Sequence, residues 1–244
     1  MLRFILVFVV AVAVRPAVAE FSNIIVNVGG EDVEASAVKS LDPLVFEYYG
    51  FIDGVFTTVG WTDRGNGYEP IYDSRVGLPA GEDNAIPNFV ELLGAAGKVY
   101  AVSSYTTPEG NRGEGFIGVL GEGGFTQFAP GAREALGGGA ASRFHYRFAK
   151  ASGNGAVLAA VGYDVTFPHF IVRVTAGNVE ILAQESVTTF PGSGMPFTRF
   201  GAALHINEDG SAIVFRGENG SGASGVFLWT SSGGVEKVAD TTTV

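Results

Sequence analysis

The sequence contains no cysteine, which excludes a disulfide scaffold, a thiolate metal centre and a cysteine nucleophile together. Charge is also scarce, since 16% of the 244 residues are Asp, Glu, Lys or Arg, and the formal net charge is −10. Affinity for phosphate backbones comes from clustered cations, and no basic run occurs, so nucleic acid is not expected as a partner. Helical signal is missing too. No window of about twelve residues keeps a 3.6-residue apolar period; Pro87 to Ala96 comes nearest, and Gly94 interrupts it. There is no Gly-x-Ser-x-Gly nucleophile elbow and no EF-hand loop. Beyond residue 14 no apolar stretch is long enough to span a bilayer, so no permanent membrane anchor is expected.

What is present is apolar and strand-forming. Hydrophobic residues make up 46% of the chain, so a sizeable core can form and wholesale disorder is excluded. The first nineteen residues read as an address. Arg3 precedes an eleven-residue apolar stretch from Phe4 to Val14, and Arg15-Pro16 leads to the small-residue pattern Ala17-Val18-Ala19. This is a secretory signal peptide over residues 1–19, with cleavage expected between Ala19 and Glu20. Removing it takes away two arginines and leaves a net charge of −12. The mature chain, 20–244, is then secreted, at the cell exterior or in a periplasm, and its lack of cysteine suggests a bacterial product.

Residues 20–244 read as one tandem β-repeat domain. Gly67-Tyr-Glu-Pro-Ile-Tyr72, Gly124-Phe-Thr-Gln-Phe-Ala129, Asn178-Val-Glu-Ile-Leu-Ala183 and Gly234-Val-Glu-Lys-Val-Ala239 share one pattern at steps of 57, 54 and 56 residues. With the preceding Asn66, Gly123, Gly177 or Gly233, the first residue of each copy makes a pair suited to a tight hairpin turn, which predicts a two-residue turn with positive φ at Gly67, Gly124, Asn178 and Gly234. A second landmark, a glycine opening a strand, recurs at Gly97, Gly155 and Gly210. Gly54 lies only 43 residues before Gly97, which suggests a shortened first unit with a strand merged or missing. The expected fold is all-β, with repeats of about 56 residues forming a β-propeller or propeller-like array of about four units. A β-sandwich is the alternative. The apolar strand Ile24 to Val28 has no repeat of its own and is expected to join or cover the last unit, closing the ring.

The segment Phe197-Thr-Arg-Phe200, His205-Ile-Asn-Glu-Asp-Gly210, Ile213-Val-Phe215, Gly225-Val-Phe-Leu-Trp229 and Val238-Ala-Asp240 resembles secreted bacterial proteins with tandem NxxGxxAF repeats. It shares its Phe-Leu-Trp strand with the related HAF-type extracellular repeats. The resemblance is strongest from Gly192 to Val244 and extends back to Gly97. It implies an exported β-repeat protein and carries over no catalytic residues.

Motifs with chemistry are few. Gly113-Glu-Gly-Phe-Ile-Gly118 spells GxGxxG without the strand and helix that would let it hold a pyrophosphate, and reads as a hairpin loop. His145, His169 and His205 lack zinc-ligand spacing. Asn207-Glu-Asp-Gly210 could offer oxygens to calcium but reads as an Asx turn. Glu47, Asp53, Asp63, Glu69 and Asp73 could supply a glycosidase pair if two of them converged. Trp61, Arg64 and Tyr68 form a possible contact patch, with a core role expected for Trp61; Phe215, Phe227 and Trp229 read as core. No catalytic, cofactor-binding or metal-binding residue is assigned and no cofactor is expected. The functional expectation is a non-enzymatic extracellular binding or structural module for a glycan or protein ligand. The alternative is a secreted propeller-type hydrolase acting on a glycan.

Overall fold

The computed structural model describes residues 25–28, 31–34, 37–41, 43–52, 54–63, 67–74, 86–106, 112–122, 124–129, 144–164 and 169–241. The expected leader and its cleavage site lie outside these residues. Every regular element within them is a strand. β1 (Ile25–Val28) and β2 (Glu31–Glu34) form a small antiparallel pair. Four four-stranded antiparallel sheets follow, each in simple chain order. The first holds β3 (Ala37–Leu41), β4 (Leu44–Ile52), β5 (Val55–Asp63) and β6 (Tyr68–Asp73). The second holds β7 (Ile86–Ala95), β8 (Lys98–Thr106), β9 (Arg112–Gly121) and β10 (Gly124–Gln127). β11 (Phe144–Ala151), β12 (Val157–Asp164), β13 (Phe170–Thr175) and β14 (Asn178–Gln184) make the third. The fourth holds β15 (Phe197–Ile206), β16 (Ala212–Asn219), β17 (Ser224–Thr230) and β18 (Gly234–Asp240).

The repeat landmarks are the turns of these sheets. Gly97, Gly155 and Gly210 adopt φ of 74°, 61° and 73° between the first and second strands, a region that a Cβ makes costly. Gly67, Gly124 and Gly234 also have positive φ, but in the third sheet Gly177, not Asn178, holds that place. Asn178 is already the first residue of β14, paired with Thr175. Nor is the first unit shortened. The second strands β4, β8, β12 and β16 start at residues 44, 98, 157 and 212, steps of 54, 59 and 55. Gly54 instead links the second and third strands, and the turn equivalent to Gly97 is the Leu41–Leu44 connection, which uses no glycine.

Packing joins consecutive sheets. Val45, Ile71 and Tyr72 of the first meet Leu92, Val99, Ala101 and Phe125 of the second. Leu93, Tyr100, Val102 and Ile117 meet Tyr146, Leu158, Ala160 and Val172 of the third. Ala159, Val161 and Ile171, on the other face of the third sheet, meet the aromatic side of the fourth. Coverage on both faces explains why β12 reads as a continuous apolar run without alternation. The first strands adjoin in sequence, β3 with β7, β7 with β11 and β11 with β15, whereas among the described fourth strands the closest approach, of β14 to β18, is much slighter. Four sheets therefore fan out from a shared line of first strands, which is not the two-sheet arrangement of a sandwich.

The expected joining of the N-terminal strand to the last sheet is not what the described residues show. The strand forms over Ile25–Val28, but it pairs with β2, and β2 packs against β4 of the first sheet. The fourth sheet contains only β15 to β18. A hairpin joining Val28 to Glu31 closes a far shorter loop than a pairing across the whole chain, so local closure wins.

Candidate functional site: the bulged first strands

All four first strands slip register against their neighbours, at Val38/Ser40, Pro87/Phe89, Arg147/Lys150 and twice in β15, at Phe197/Arg199 and Phe200/Leu204. A bulge frees a backbone N–H and re-aims the side chains beyond it. In β11 both effects are visible. Regular alternation would bury Phe148 with Tyr146, but the extra residue gives the inward place to Ala149. Phe148 is left 41% exposed at φ 54°. A bulky residue in that region stores roughly 1–2 kcal/mol of backbone strain.

Carboxylates from the preceding sheet take up the freed N–H groups. Ala149 N donates to Glu91 Oε2 of β7 at 3.1 Å. Phe200 N, where β15 slips, donates to Glu185 Oε1 at 3.2 Å. Glu185 follows β14, is 2% exposed, and has His169 Nδ1 2.7 Å from the same oxygen. The bulges in β11 and β15 also lie level. Arg147 faces Val161 and Phe200 faces Gly217, four and five residues into their second strands, and Asn154 N donates to Glu208 O at 3.0 Å between the turns that follow.

Charge is sorted by strand position. The four first strands contain Lys39, Arg147, Lys150 and Arg199 against a single acid, Glu91. The four fourth strands contain Glu69, Asp73, Glu180, Glu236 and Asp240 against Lys237. An acidic protein thus concentrates cations along the line where its sheets converge. Lys150 and Arg199 are exposed, and Arg147 is half-buried.

Of the five acids that could supply a glycosidase pair, four lie on neighbouring strands of the first sheet, Glu47 on β4, Asp63 on β5, and Glu69 and Asp73 on β6. Glu47, on β4, is fully buried at the first junction, with Lys39 Nζ 3.0 Å from Oε2 and the Tyr49 hydroxyl donating to the same atom. In its row Glu47 pairs with Gly60 and Gly60 with Tyr72. Leu92 of β7 seats over Gly60, where a Cβ would lie 2.2 Å from Leu92 Cδ1. Burial pushes the Glu47 carboxyl up, with Lys39 pulling against it and Glu91 adding to the rise; burial also raises Tyr72, helped by Asp73 and Glu47. A carboxyl with a raised folded pKa binds its proton more readily folded than unfolded, so it costs stability above that pKa and the cost disappears on acidification. Wild type should therefore gain stability relative to Glu47→Gln as pH falls from neutrality toward the ordinary glutamate range. Denaturant titrations of both proteins at several pH values check this, and parallel curves would refute it. Asp63, at the end of β5, and Glu69, on β6, are exposed; Asp53 lies outside the described residues.

Other sequence candidates resolve into structure. Gly113–Gly118 is the interior of β9, not a hairpin loop, because register with β8 runs through it. Asn207 Oδ1 accepts Ala212 N at 2.9 Å, and Asp209 Oδ1 accepts Ser211 N at 3.0 Å, so these oxygens hold their own turn. Hydrogen bonds from Ser211 lower the Asp209 carboxyl pKa. His145 and His205 lie on β11 and β15, while His169 meets Glu185. Among the described residues no cluster of three or more His, Asp or Glu could hold a metal. Trp61 is core, stacked on Phe46 at 5.5 Å, and Tyr68 meets Phe46 edge-on; Arg64 lies outside the described residues. Phe215, Phe227 and Trp229 all line the third junction. Phe148, Lys150 and Arg199 were missed as a group, because the register slip that turns Phe148 outward has no local sequence mark.

No family model and no curated protein matches the chain. Among solved structures it is similar to TolB from Acinetobacter baumannii, at 12% identity and TM-score 0.45, over 78% of this chain and 39% of that one. It is also similar to an uncharacterized Listeria monocytogenes protein, at 8% identity and TM-score 0.36, over 84% of this chain and 64% of that one. A Lactobacillus plantarum protein matches at 14% identity and TM-score 0.32, over 80% of this chain and 67% of its own length. The chain thus spans about two-fifths of the TolB structure, and none of these overlaps carries a functional argument. Among the described residues no helix is long and apolar enough to cross a membrane.

Proposed function

We propose that this protein is a non-enzymatic binding module of the cell exterior or periplasm, built as a four-unit propeller-like array and holding a glycan or protein ligand along its first strands. The observation that carries this reading is Phe148, a bulky residue strained to φ 54° and turned toward solvent by a bulge that Glu91 supports from the preceding sheet. Strain of this kind persists where surroundings over-determine it, and such places cluster at ligand sites. The fan of sheets from adjoining first strands supports the propeller reading. The NxxGxxAF-type resemblance agrees with export and with the absence of transferred catalytic residues. A glycan hydrolase is the weaker reading, because Glu47, whose carboxyl burial pushes up, is fully buried with Lys39 and Tyr49 on the same oxygen. The mature chain should bind at least one polysaccharide or cell-envelope fraction in a pull-down or calorimetric screen while releasing no reducing sugar in a parallel hydrolase panel. Sugar release that disappears in Glu47→Gln would establish the hydrolase instead.

A further inference from the structure

We infer that the bulged stretch of β11 and β15 binds an anionic, carboxylate-bearing polysaccharide, with Phe148 as the stacking platform and Lys150 and Arg199 as the cations that meet the sugar carboxylates. This rests on the binding-module reading and names its ligand class. Three observations converge on it. The bulge presents Phe148 to solvent between Arg147 and Lys150. β11 adjoins β15, whose exposed Arg199 lies next to Phe200, the residue level with Arg147. The first strands hold four Lys and Arg residues to one acid, while the protein as a whole carries −10.

The chemistry favours a sugar polymer over other anions. A pyranose offers an apolar C–H face to an aromatic ring and carries its carboxylate at the rim, so one exposed ring flanked by separated cations suits it. Nucleic acid needs a denser cationic stripe to neutralise successive phosphates, and the acidic remainder of this chain would repel it. An anionic bilayer would be repelled for the same reason. With few charges engaged, binding should be modest and salt-sensitive.

The test uses the mature chain with polygalacturonate as probe, and with neutral dextran, poly-L-glutamate, single-stranded DNA and phosphatidylglycerol vesicles as comparisons. Wild type should bind polygalacturonate, weaken as salt rises, and bind the comparisons at least about tenfold less. Lys150→Glu and Arg199→Glu should each weaken polygalacturonate binding by about tenfold or more through charge reversal. Phe148→Gly separates binding from folding. Glycine tolerates φ 54° without strain, which offsets the freedom it adds to the unfolded chain, so this variant should stay folded with a cooperative thermal melt near that of wild type while losing polygalacturonate binding. Equal binding of poly-L-glutamate, DNA or vesicles would overturn the saccharide assignment. Polygalacturonate binding unchanged in Phe148→Gly and both charge reversals would overturn the site. If the variants also retain wild-type affinity for an envelope fraction, the binding-module reading stands without this site. Failure of wild type on every carbohydrate and envelope fraction would remove both.

Discussion

Phe197→Ala is expected to lower the free energy of unfolding by about 3–5 kcal/mol, the range for removing a buried aromatic ring from a well-packed core. The ring is fully buried at the third junction, with centroids 5.3 Å from Phe190, 5.0 Å from Phe200, 6.1 Å from Phe215 and 4.9 Å from Phe227. It also lies against Gly217, where a Cβ would stand 2.5 Å from Phe197 Cε1. Truncation therefore opens a void that nothing nearby can fill, because the surrounding rings already hold one another and Gly217 has no side chain to move in. Against a total stability of about 5–15 kcal/mol, that loss ranges from about a fifth to the whole. The fourth sheet packs mainly on the third, so the damage should fall there first, as expected of stacked repeats coupled through neighbours. Guanidinium unfolding followed by tryptophan fluorescence checks this, since Trp229 lies in the same cluster and Trp61 lies in the first sheet. A loss below about 1 kcal/mol would show that the junction is looser than this packing requires.

Legibility in the sequence followed the physics of each feature. Gly97, Gly155 and Gly210 stood out because a tight connection with positive φ selects glycine locally, whatever the rest of the chain does. The strands around Gly115–Leu120, Phe170–Val174 and Gly225–Trp229 were visible for a similar reason, as short runs of strand formers between turns. The first unit was misjudged because its corresponding turn, between Leu41 and Leu44, uses no glycine, which left Gly54 as a false landmark. The positive φ expected at Asn178 falls one place earlier, on Gly177, because either member of a Gly-Asn pair tolerates it and glycine does so without the cost of a Cβ. The destination of Ile25–Val28 and the exposure of Phe148 were beyond local reading. Each depends on which backbone lies opposite, and a slip of one residue reverses which side chains are buried. The candidate site was therefore hidden even though its aromatic and basic residues were in plain view.

Glu185→Ala should cost about 1–3 kcal/mol, and Glu185→Gln should recover most of it. The carboxylate is 2% exposed and its Oε1 accepts the Phe200 N–H that the irregular stretch of β15 leaves to it. Alanine would strand that N–H at a buried position and remove the partner that His169 meets at 2.7 Å. An unsatisfied buried donor costs about the stated amount because its lost water is not replaced. Glutamine keeps a carbonyl oxygen in nearly the same place, so the Phe200 bond survives and only the charge is lost. The contrast distinguishes a hydrogen-bonding role from an electrostatic one. The geometry favours the hydrogen-bonding role, since Glu91 performs the same service for Ala149 at the preceding junction. Urea unfolding of the three proteins decides it, and equal destabilisation by alanine and glutamine would refute the acceptor role. Success would identify a rule of construction shared by β11 and β15, in which an irregular first strand is fixed by a carboxylate reaching from the sheet before it.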